Sequence, residues 1–400
     1  MPFHTASDKE IKDGKITDVY FERGKNILEG KGIKKNVVAE IRAAVLPDDW
    51  SWAVLGGVEE AVRLFEGLPV NCRSLPEGTV FEEEVPVFWI EGEYTSWAVY
   101  ETAVLGFLCQ ASGIVTKAAR CKIAAEERQI YSFGARRMHP AIAPMIERAA
   151  YIGGVDGVAT TAAAKLIGEM PIGTMSHSII LVFGNETEAF KAFNEVIEPS
   201  VKRVALVDTF NDEKFASISA AEALGKDLYA VRLDTPSSRR GDFYKILQEV
   251  RWELDTRGYS HVKIFISGGL DEYEIEELND YADAYGVGTA ISAADVVDFS
   301  LDIVEVEGKP FAKRGKMSGS KEVYRCDACF EMTVLPIKED PGVCSCKEGI
   351  FEKTSKEVVK QGKVLELPPA KVIREYTMSQ FEYLDIDEDL ELEIEEFDEE

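Results

Sequence analysis

The chain has 400 residues, enough for two to three domains, with 46% hydrophobic and 29% charged residues, a balance that excludes intrinsic disorder and collagen-like repeats. Its 72 Asp and Glu against 45 Lys and Arg leave a formal net charge of −27, which excludes broad electrostatic binding to nucleic acid or anionic lipid. Twelve of the acidic residues lie between Glu382 and Glu400, and taking those charges away still leaves −15.

The N-terminus, MPFHTASDKEIKD, lacks an apolar signal stretch. The longest apolar run nearby, Ala103 to Cys109, is far short of the ~20 residues of a membrane span. Four of the seven cysteines crowd between Cys326 and Cys346, a pattern that fits a reducing cytoplasm and one metal site better than a disulfide framework. A soluble cytoplasmic protein is expected. In chain order, a helical stretch covers Thr17–Glu29. Strand-like runs follow at Val37–Leu46, Trp50–Val54 and Val85–Ile90, rich in Val, Ile and Trp. Val58–Gly67 has helical spacing, and Ser96 to Glu127 reads as one long, mostly apolar helix. This is a small α+β layer followed by a connector.

From about residue 128 to 305 short apolar runs alternate with amphipathic helices. The runs are Gly157–Ala159, Met170–Gly173, Arg203–Val207, Leu228–Leu233, Val262–Ile266 and Ala284–Val287. The helices include Glu186–Val196, Ala216–Leu224, Tyr244–Thr256 and Tyr273–Tyr281. Such alternation implies βαβ units and a parallel sheet, and six or seven units in series favour a barrel over an open doubly wound sheet. The polar residues at the strand ends would then converge on one face. They are Gly134, Arg136, Arg137 and His139; Thr160 and Thr161; Gly173-Thr174-Met175-Ser176-His177-Ser178; Asp208-Thr209; Arg232 with Asp234; Ser267-Gly268-Gly269; and Gly288-Thr289. Helix capping accounts for Asp208 and Thr160 equally well, but not for two arginines, a histidine and two glycine-rich turns on one rim.

The turns Ser267-Gly268-Gly269-Leu270-Asp271 and Gly286-Val287-Gly288-Thr289 close the last two strands and together suit one phosphate group. Arg136, Arg137, Arg232, Arg239 and Arg240 add cations that suit a small, highly anionic ligand. Arg239 and Arg240 fit surface ion pairing equally well. His177, between Ser176 and Ser178 after a Gly-Thr strand end, is the candidate catalytic histidine. His139 is either a ligand contact or a loop residue.

These segments, together with Thr17-Asp18-Val19-Tyr20, Phe133-Gly134-Ala135-Arg136-Arg137, Val231-Arg232-Leu233-Asp234 and the basic stretch from Lys313 to Arg325, resemble the nicotinate phosphoribosyltransferase family, a type II phosphoribosyltransferase. The resemblance spans about residues 15–325. It implies that nicotinate and phosphoribosyl pyrophosphate give nicotinate mononucleotide and pyrophosphate in NAD salvage, coupled to ATP hydrolysis through a phosphohistidine at His177. It implies an irregular (β/α) barrel with an N-terminal α+β sandwich domain, and a homo-oligomer whose active sites lie at subunit interfaces. Tyr20 and Phe133 would stack on the ring, and Thr174 and Arg232 would bind nicotinate, the arginine facing its carboxylate. Ser267, Gly268, Gly269, Gly288 and Thr289 would hold the 5′-phosphate. Arg136, Arg137 and the Lys313–Lys321 stretch would neutralise pyrophosphate with Mg²⁺. Asp208 and Asp234 are candidates for metal or ribose contacts, Asp234 also for catalysis. In one departure, Thr235 to Arg240 intervene before Gly241-Asp242, so the family's roles for those two do not carry over.

Cys326-x-x-Cys329 and Cys344-x-Cys346 supply four thiolates on two tight turns, a structural Zn²⁺ set that leaves no open position for water; iron or two disulfides are the alternatives. Cys72, Cys109 and Cys121 read as core residues. The expected layout is a sandwich with connector helix at 1–127, the barrel at 128–321, and a four-cysteine zinc knuckle at 322–352. Return strands to the N-terminal domain, including Lys363–Leu367 and Lys371–Tyr376, would fill 353–381, and a solvated acidic tail 382–400. Competing readings are a related transferase for quinolinate or nicotinamide, and a zinc-containing binding or scaffold protein.

Overall fold

A computed structural model describes residues 3–386; most of the acidic tail, residues 387–400, lies outside them. The described chain divides into two units. One comprises residues up to Thr116 and from Asp295 onward; the other is Lys117–Ala294.

The first unit is built on a seven-stranded sheet. Its order is Lys309–Pro310, Phe299–Val306, Asn36–Ala43, Pro86–Glu93, Val70–Ser74, Lys356–Lys360, Lys363–Val364, paired antiparallel throughout. Strand Phe299–Val306, placed by sequence with the barrel, instead pairs with Asn36–Ala43. One face buries Ile41, Phe88, Ile90, Phe65 and Trp97 in a common core. Glu40, on the opposite face of the same strand, is also buried and is satisfied by the Trp89 indole N–H at 3.1 Å and the Lys321 ammonium at 2.8 Å, as a buried carboxylate requires. Lys371–Tyr376 is not a strand: the chain there is the helix Ala370–Met378. Pro369 starts it, and Ile373 and Thr377, four residues apart, form its buried face.

The segment Tyr94–Ala124 is long and apolar enough to cross a membrane by length and composition, and half of that window is buried. Val104 and Leu108 lie in the core, and the Thr116 and Ser112 hydroxyls accept from the Val54 and Gly56 amides at 2.8 and 2.9 Å. Those bonds mark it as an interior helix.

The second unit is an α/β fold around six parallel strands, numbered here within that sheet. They are β1 (Gln129–Ser132), β2 (Gly157–Val158), β3 (Arg203–Leu206), β4 (Leu228–Leu233), β5 (Lys263–Ser267) and β6 (Ala284–Val287). The order β2-β1-β6-β5-β4-β3 brings the last strand beside the first, as a barrel requires. Closure is incomplete, because β2 and β3 are not paired. Met170–Gly173, expected as a strand, fills that side as irregular chain with one bond to the sheet, Ile172 N–H to the Val158 carbonyl at 2.8 Å. Pro171 has no N–H to donate. β1, absent from the sequence-derived strands, pairs with both β2 and β6. The strands are short and buried on both faces, so their apolar runs show no alternation.

Two buried carboxylates hold the rim loops. Glu147 accepts from the Ala159 and Thr160 amides after β2 at 2.8 and 3.0 Å, and from the Thr160 hydroxyl. Glu186 accepts from the Phe210 amide and the Asn211 side chain after β3, both at 2.8 Å. On the flank, Glu272 pairs with Arg120 and Lys117 at 3.0 and 2.7 Å, with Glu272 and Arg120 fully buried. Removing one partner would strand a buried charge.

Candidate active site

The C-terminal ends of β3, β4 and β5 carry one continuous polar array. It begins with Arg232, the penultimate residue of β4 and largely buried. Its Nε donates to Ser267 Oγ at 2.8 Å, Nη1 to Thr174 Oγ1 at 2.7 Å, and Nη2 to Asp234 Oδ2 at 3.0 Å. The guanidinium carbon lies 5.0 Å from the Phe133 ring centroid. Burial pushes Arg232 below the ordinary arginine value, Asp234 and Asp208 oppose that, and Arg136 adds to it. Three of the five guanidinium N–H groups are committed, and the two that remain suit one carboxylate.

Ser267, at the end of β5, accepts from Arg232 and donates to Asp234 Oδ1 at 2.7 Å. Its buried hydroxyl therefore orients these two groups. Gly268 follows with φ of +97°, and a Cβ there would sit 3.1 Å from Asp234. The position therefore favours glycine on both counts.

His177 opens the helix His177–Phe183. Its Nε2 is 3.1 Å from each oxygen of Asp208, and its Nδ1 is 3.9 Å from Asp234 Oδ2. Asp208 follows β3, with its side chain 4% exposed. Burial raises its carboxyl above the ordinary value, partly opposed by the His177 hydrogen bond. An Nε2–H donating to Asp208 leaves the lone pair on Nδ1, the state a nucleophilic imidazole needs. Asp208 is thus the partner of His177 and not a helix cap.

Phe133 leaves β1 and packs on Phe265 at 5.7 Å; a Cβ on Gly286 would lie 2.5 Å from its ring. Its place is beneath Arg232. Arg136 and Arg137 form a short exposed turn after β1 and have no carboxylate partner among the described residues. His139 caps the next turn by accepting from the Ala141 amide at 3.1 Å, the loop role. Thr160 and Asp242 are helix N-caps. Arg239 is exposed, and the side chain of Arg240 lies outside the described part of the chain. Gly288 and Thr289 end β6 at a short helix start. A cavity of about 520 Å³ inside the barrel extends toward the strand starts at Gln129 and Lys263; of the array it touches only Thr174. Tyr20 lies on the helix Val19–Gly30 of the other unit and is 60% exposed.

Glu147, Glu186 and the pairing of Asp208 with His177 escaped the sequence reading. A strand-end Asp one βα unit after the His-bearing turn was the available signal for the pairing.

In the first unit, the thiols of Cys326, Cys329, Cys344 and Cys346 lie within 4.8 Å of one another. Cys326 and Cys346 are 3.6 Å apart, and Cys329 and Cys344 3.5 Å, which is non-bonded and near the ~3.8 Å edge of a zinc–sulfur tetrahedron with ~2.3 Å bonds. Phe330 and Lys347, each following a cysteine, take positive φ of 64° and 62°, turning the chain back around the sulfurs. Backbone N–H groups of Glu348 and Gly349 draw Cys346 down to about 7. The cluster can hold zinc.

A family model described as quinolinate phosphoribosyl transferase, C-terminal domain, matches residues 114–302, and its N-terminal counterpart matches residues 18–112. A nicotinate phosphoribosyltransferase of Mycobacterium tuberculosis is 34% identical over 327 residues, covering 77% of this chain and 68% of the relative. One from Bacillus subtilis is 29% identical over 340 residues, covering 73% and 68%. The crystal structure of a nicotinate-nucleotide pyrophosphorylase from Pyrococcus furiosus shares 54% identity with a TM-score of 0.95, over 96% of this chain and 100% of that one. Human nicotinic acid phosphoribosyltransferase, at 18% identity and a TM-score of 0.74 over 93% and 95%, shares the fold.

Proposed function

The chain belongs to the nicotinate phosphoribosyltransferase family, and on that premise we propose that it joins nicotinate to phosphoribosyl pyrophosphate, releasing pyrophosphate, in NAD salvage. The observation that carries the reading is the three-point anchoring of Arg232 beside the His177–Asp208 pair. The pyridine nitrogen attacks the ribose anomeric carbon as pyrophosphate departs, so the ring must be held in line with the bond that breaks. Arg232 receives the nicotinate carboxylate on its two remaining N–H groups, and Thr174, Ser267 and Asp234 keep the guanidinium from turning. Fixing the ring this way supplies part of the ~7–11 kcal/mol available from positioning. Tyr20 is assigned by family resemblance to stacking on the ring. Gly268, Gly269, Gly288 and Thr289 offer backbone to the 5′-phosphate, and Arg136 and Arg137 are unpaired cations for the pyrophosphate.

His177 Nδ1 takes the γ-phosphoryl group of ATP, giving ADP and a phosphohistidine whose later hydrolysis releases phosphate. Asp208 holds the opposite nitrogen's proton. Mg²⁺ neutralises the polyphosphates when bound to them; both Asp234 oxygens already accept from this chain. Zinc in the four-cysteine cluster is structural, because four sulfurs fill its coordination shell. The exposed apolar side chains of Leu181, Val182, Phe183 and Val196 support a homo-oligomer, and the unpaired cysteines suit a reducing cytoplasm.

Purified protein given nicotinate, phosphoribosyl pyrophosphate and Mg²⁺ should release pyrophosphate, faster with ATP. In His177→Ala the ATP stimulation should vanish while basal transfer persists. Absence of pyrophosphate release across temperatures overturns the reading. Quinolinate is the second reading, favoured by the description of the matching family models. Its extra carboxylate would need a second anchored cation and must leave as CO₂. Competition between the two acids, with CO₂ release monitored, separates them.

A further inference from the structure

The His177–Asp208 pair joins two stretches that lie beyond the ladder of the parallel sheet. His177 follows irregular chain from residue 170 to 176, and of its own short helix Ile180 alone is buried. Asp208 lies in the irregular connection between β3 and the helix Glu213–Leu224, where Phe210 is half exposed. One side chain grips both stretches. Gly184, with a φ of +70°, ends the His177 helix and turns the chain at once into the helix Glu186–Val196. Glu186, the first residue of that second helix and 5% exposed, accepts from the Phe210 amide and from Asn211 Nδ2, both at 2.8 Å. Its carboxylate thus links the chain just after His177 to the chain just after Asp208.

The far end of the same helix is tied to the start of β3. Arg203, buried there, donates from Nε to Asn194 Oδ1 at 2.8 Å, from Nη1 to the Glu198 carbonyl at 2.9 Å and from Nη2 to the Ile197 carbonyl at 2.6 Å. Helix and strand are therefore spliced twice, by Arg203 where β3 begins and by Glu186 just past its end. Hydrogen bonds to an ionised group are the strong class, and the first turn of a helix is where a carboxylate is best placed.

The imidazole stands between two carboxylates. Asp208 is 3.1 Å from Nε2, and Asp234 is 3.9 Å from Nδ1. For Nδ1 to attack the γ-phosphorus of ATP while the bond to the ADP oxygen breaks, the proton must sit on Nε2. If Asp208 drifts, the proton can settle on Nδ1 facing Asp234, and the attacking lone pair is lost. We propose that Glu186 is a positioning residue: by splicing the helix after His177 to the loop after β3, it holds Asp208 at Nε2 and so selects the tautomer that can be phosphorylated. The phosphoryl transfer rests on the reading above; the tautomer selection does not.

The test uses the full chain and reads two quantities: the imidazole tautomer, from histidine nitrogen NMR shifts assigned by comparison with His177→Ala, and the rate at which γ-labelled ATP phosphorylates the chain. Glu186→Met keeps the side-chain length and removes both acceptors. It should turn a predominant Nε2–H form into a mixture and slow phosphorylation about tenfold, within the ~100-fold that a small misplacement can cost. The KM for nicotinate should stay within about twofold. Glu186→Gln should recover most of the loss, because its amide oxygen can accept from Phe210 while its NH₂ donates to a turned-over Asn211 side chain. Glu147→Met, which frees the loop after β2 in the same way, should leave the His177 tautomer as in wild type. With the variants folded, a wild-type tautomer and phosphorylation rate in Glu186→Met, or an equal tautomer change in Glu147→Met, overturns the proposal and leaves Glu186 a stability residue. Should Glu186→Met not fold, Asn211→Ala removes one of the two bonds from the exposed side and should slow phosphorylation several-fold; a wild-type rate and tautomer in that variant overturn the proposal. A wild-type chain that takes no phosphate from ATP refutes the phosphohistidine reading, and the tautomer still decides the role of Glu186.

Discussion

Replacing Arg232 with lysine keeps the charge and removes the fork. Arginine reaches Ser267, Thr174 and Asp234 through three nitrogens at 2.8, 2.7 and 3.0 Å; a single ammonium cannot serve all three and also present a paired face to a carboxylate. Hydrogen bonds involving a charged group contribute about 1.5–3 kcal/mol each. Losing the equivalent of two, with the Coulombic attraction retained, costs about 3–4 kcal/mol in the transition state. At ~1.4 kcal/mol per factor of ten, kcat/KM for nicotinate should fall roughly 140- to 700-fold. Steady-state kinetics with each substrate varied in turn is the assay. The loss should appear with nicotinate varied, while the KM for phosphoribosyl pyrophosphate moves less than about threefold. A kcat/KM for nicotinate within fivefold of wild type would refute the anchoring argument, because the fork would then be dispensable.

Three further outcomes are expected. Burial, with Asp302 beside it, pushes Glu101 up to about 7, so the folded chain holds this proton where the unfolded chain, near 4.5, has released it. Stability from this group is therefore full below pH 4.5 and declines as the pH rises toward 7; Glu101→Gln should flatten that part of the pH–Tm curve, and an unchanged slope would contradict it. A Cβ at Gly286 would meet the Phe133 ring at 2.5 Å, so Gly286→Ala should cost about 1–3 kcal/mol by overpacking and lower the Tm, with Phe133→Leu relieving it. Elemental analysis should find one zinc per chain, and Cys344→Ser or chelation should lower the Tm measurably while the wild-type protein with zinc restored recovers it.

Much of the site was legible because βα units send their functional residues to one end. His177, Arg232 and Asp234 stand out as polar residues at or just after the ends of apolar runs, and Asp234 lies 3.0 Å from Arg232 and 3.9 Å from His177. What those residues touch was less visible. Asp208 lies 31 residues from His177, and nothing local distinguishes it from a helix cap. The two glycines after Ser267 mark a turn, but nothing local shows that the final strand position aims the serine hydroxyl at Arg232 and Asp234. The Met170–Gly173 run is apolar like a strand, yet Pro171 cannot donate to a ladder. Lys371–Tyr376 misled in the opposite direction. Its Val, Ile and Tyr favour strands, but the side chains it buries recur with helical spacing. The partnership of Phe299–Val306 with Asn36–Ala43 joins segments some 260 residues apart, a pairing that no local pattern encodes.

The unpaired side of the parallel sheet bears on the chemistry. Thr174 and His177 ride on the stretch of wall most loosely stitched to its neighbours, where Ile172 contributes a lone backbone tie to β2. Displacing that stretch leaves the strand ladders intact and gives up the Ile172 tie together with the side-chain bonds of Thr174 to Arg232 and of His177 to Asp208, so the imidazole is mounted on a seam, while Arg232 and Ser267 are riveted to laddered strands.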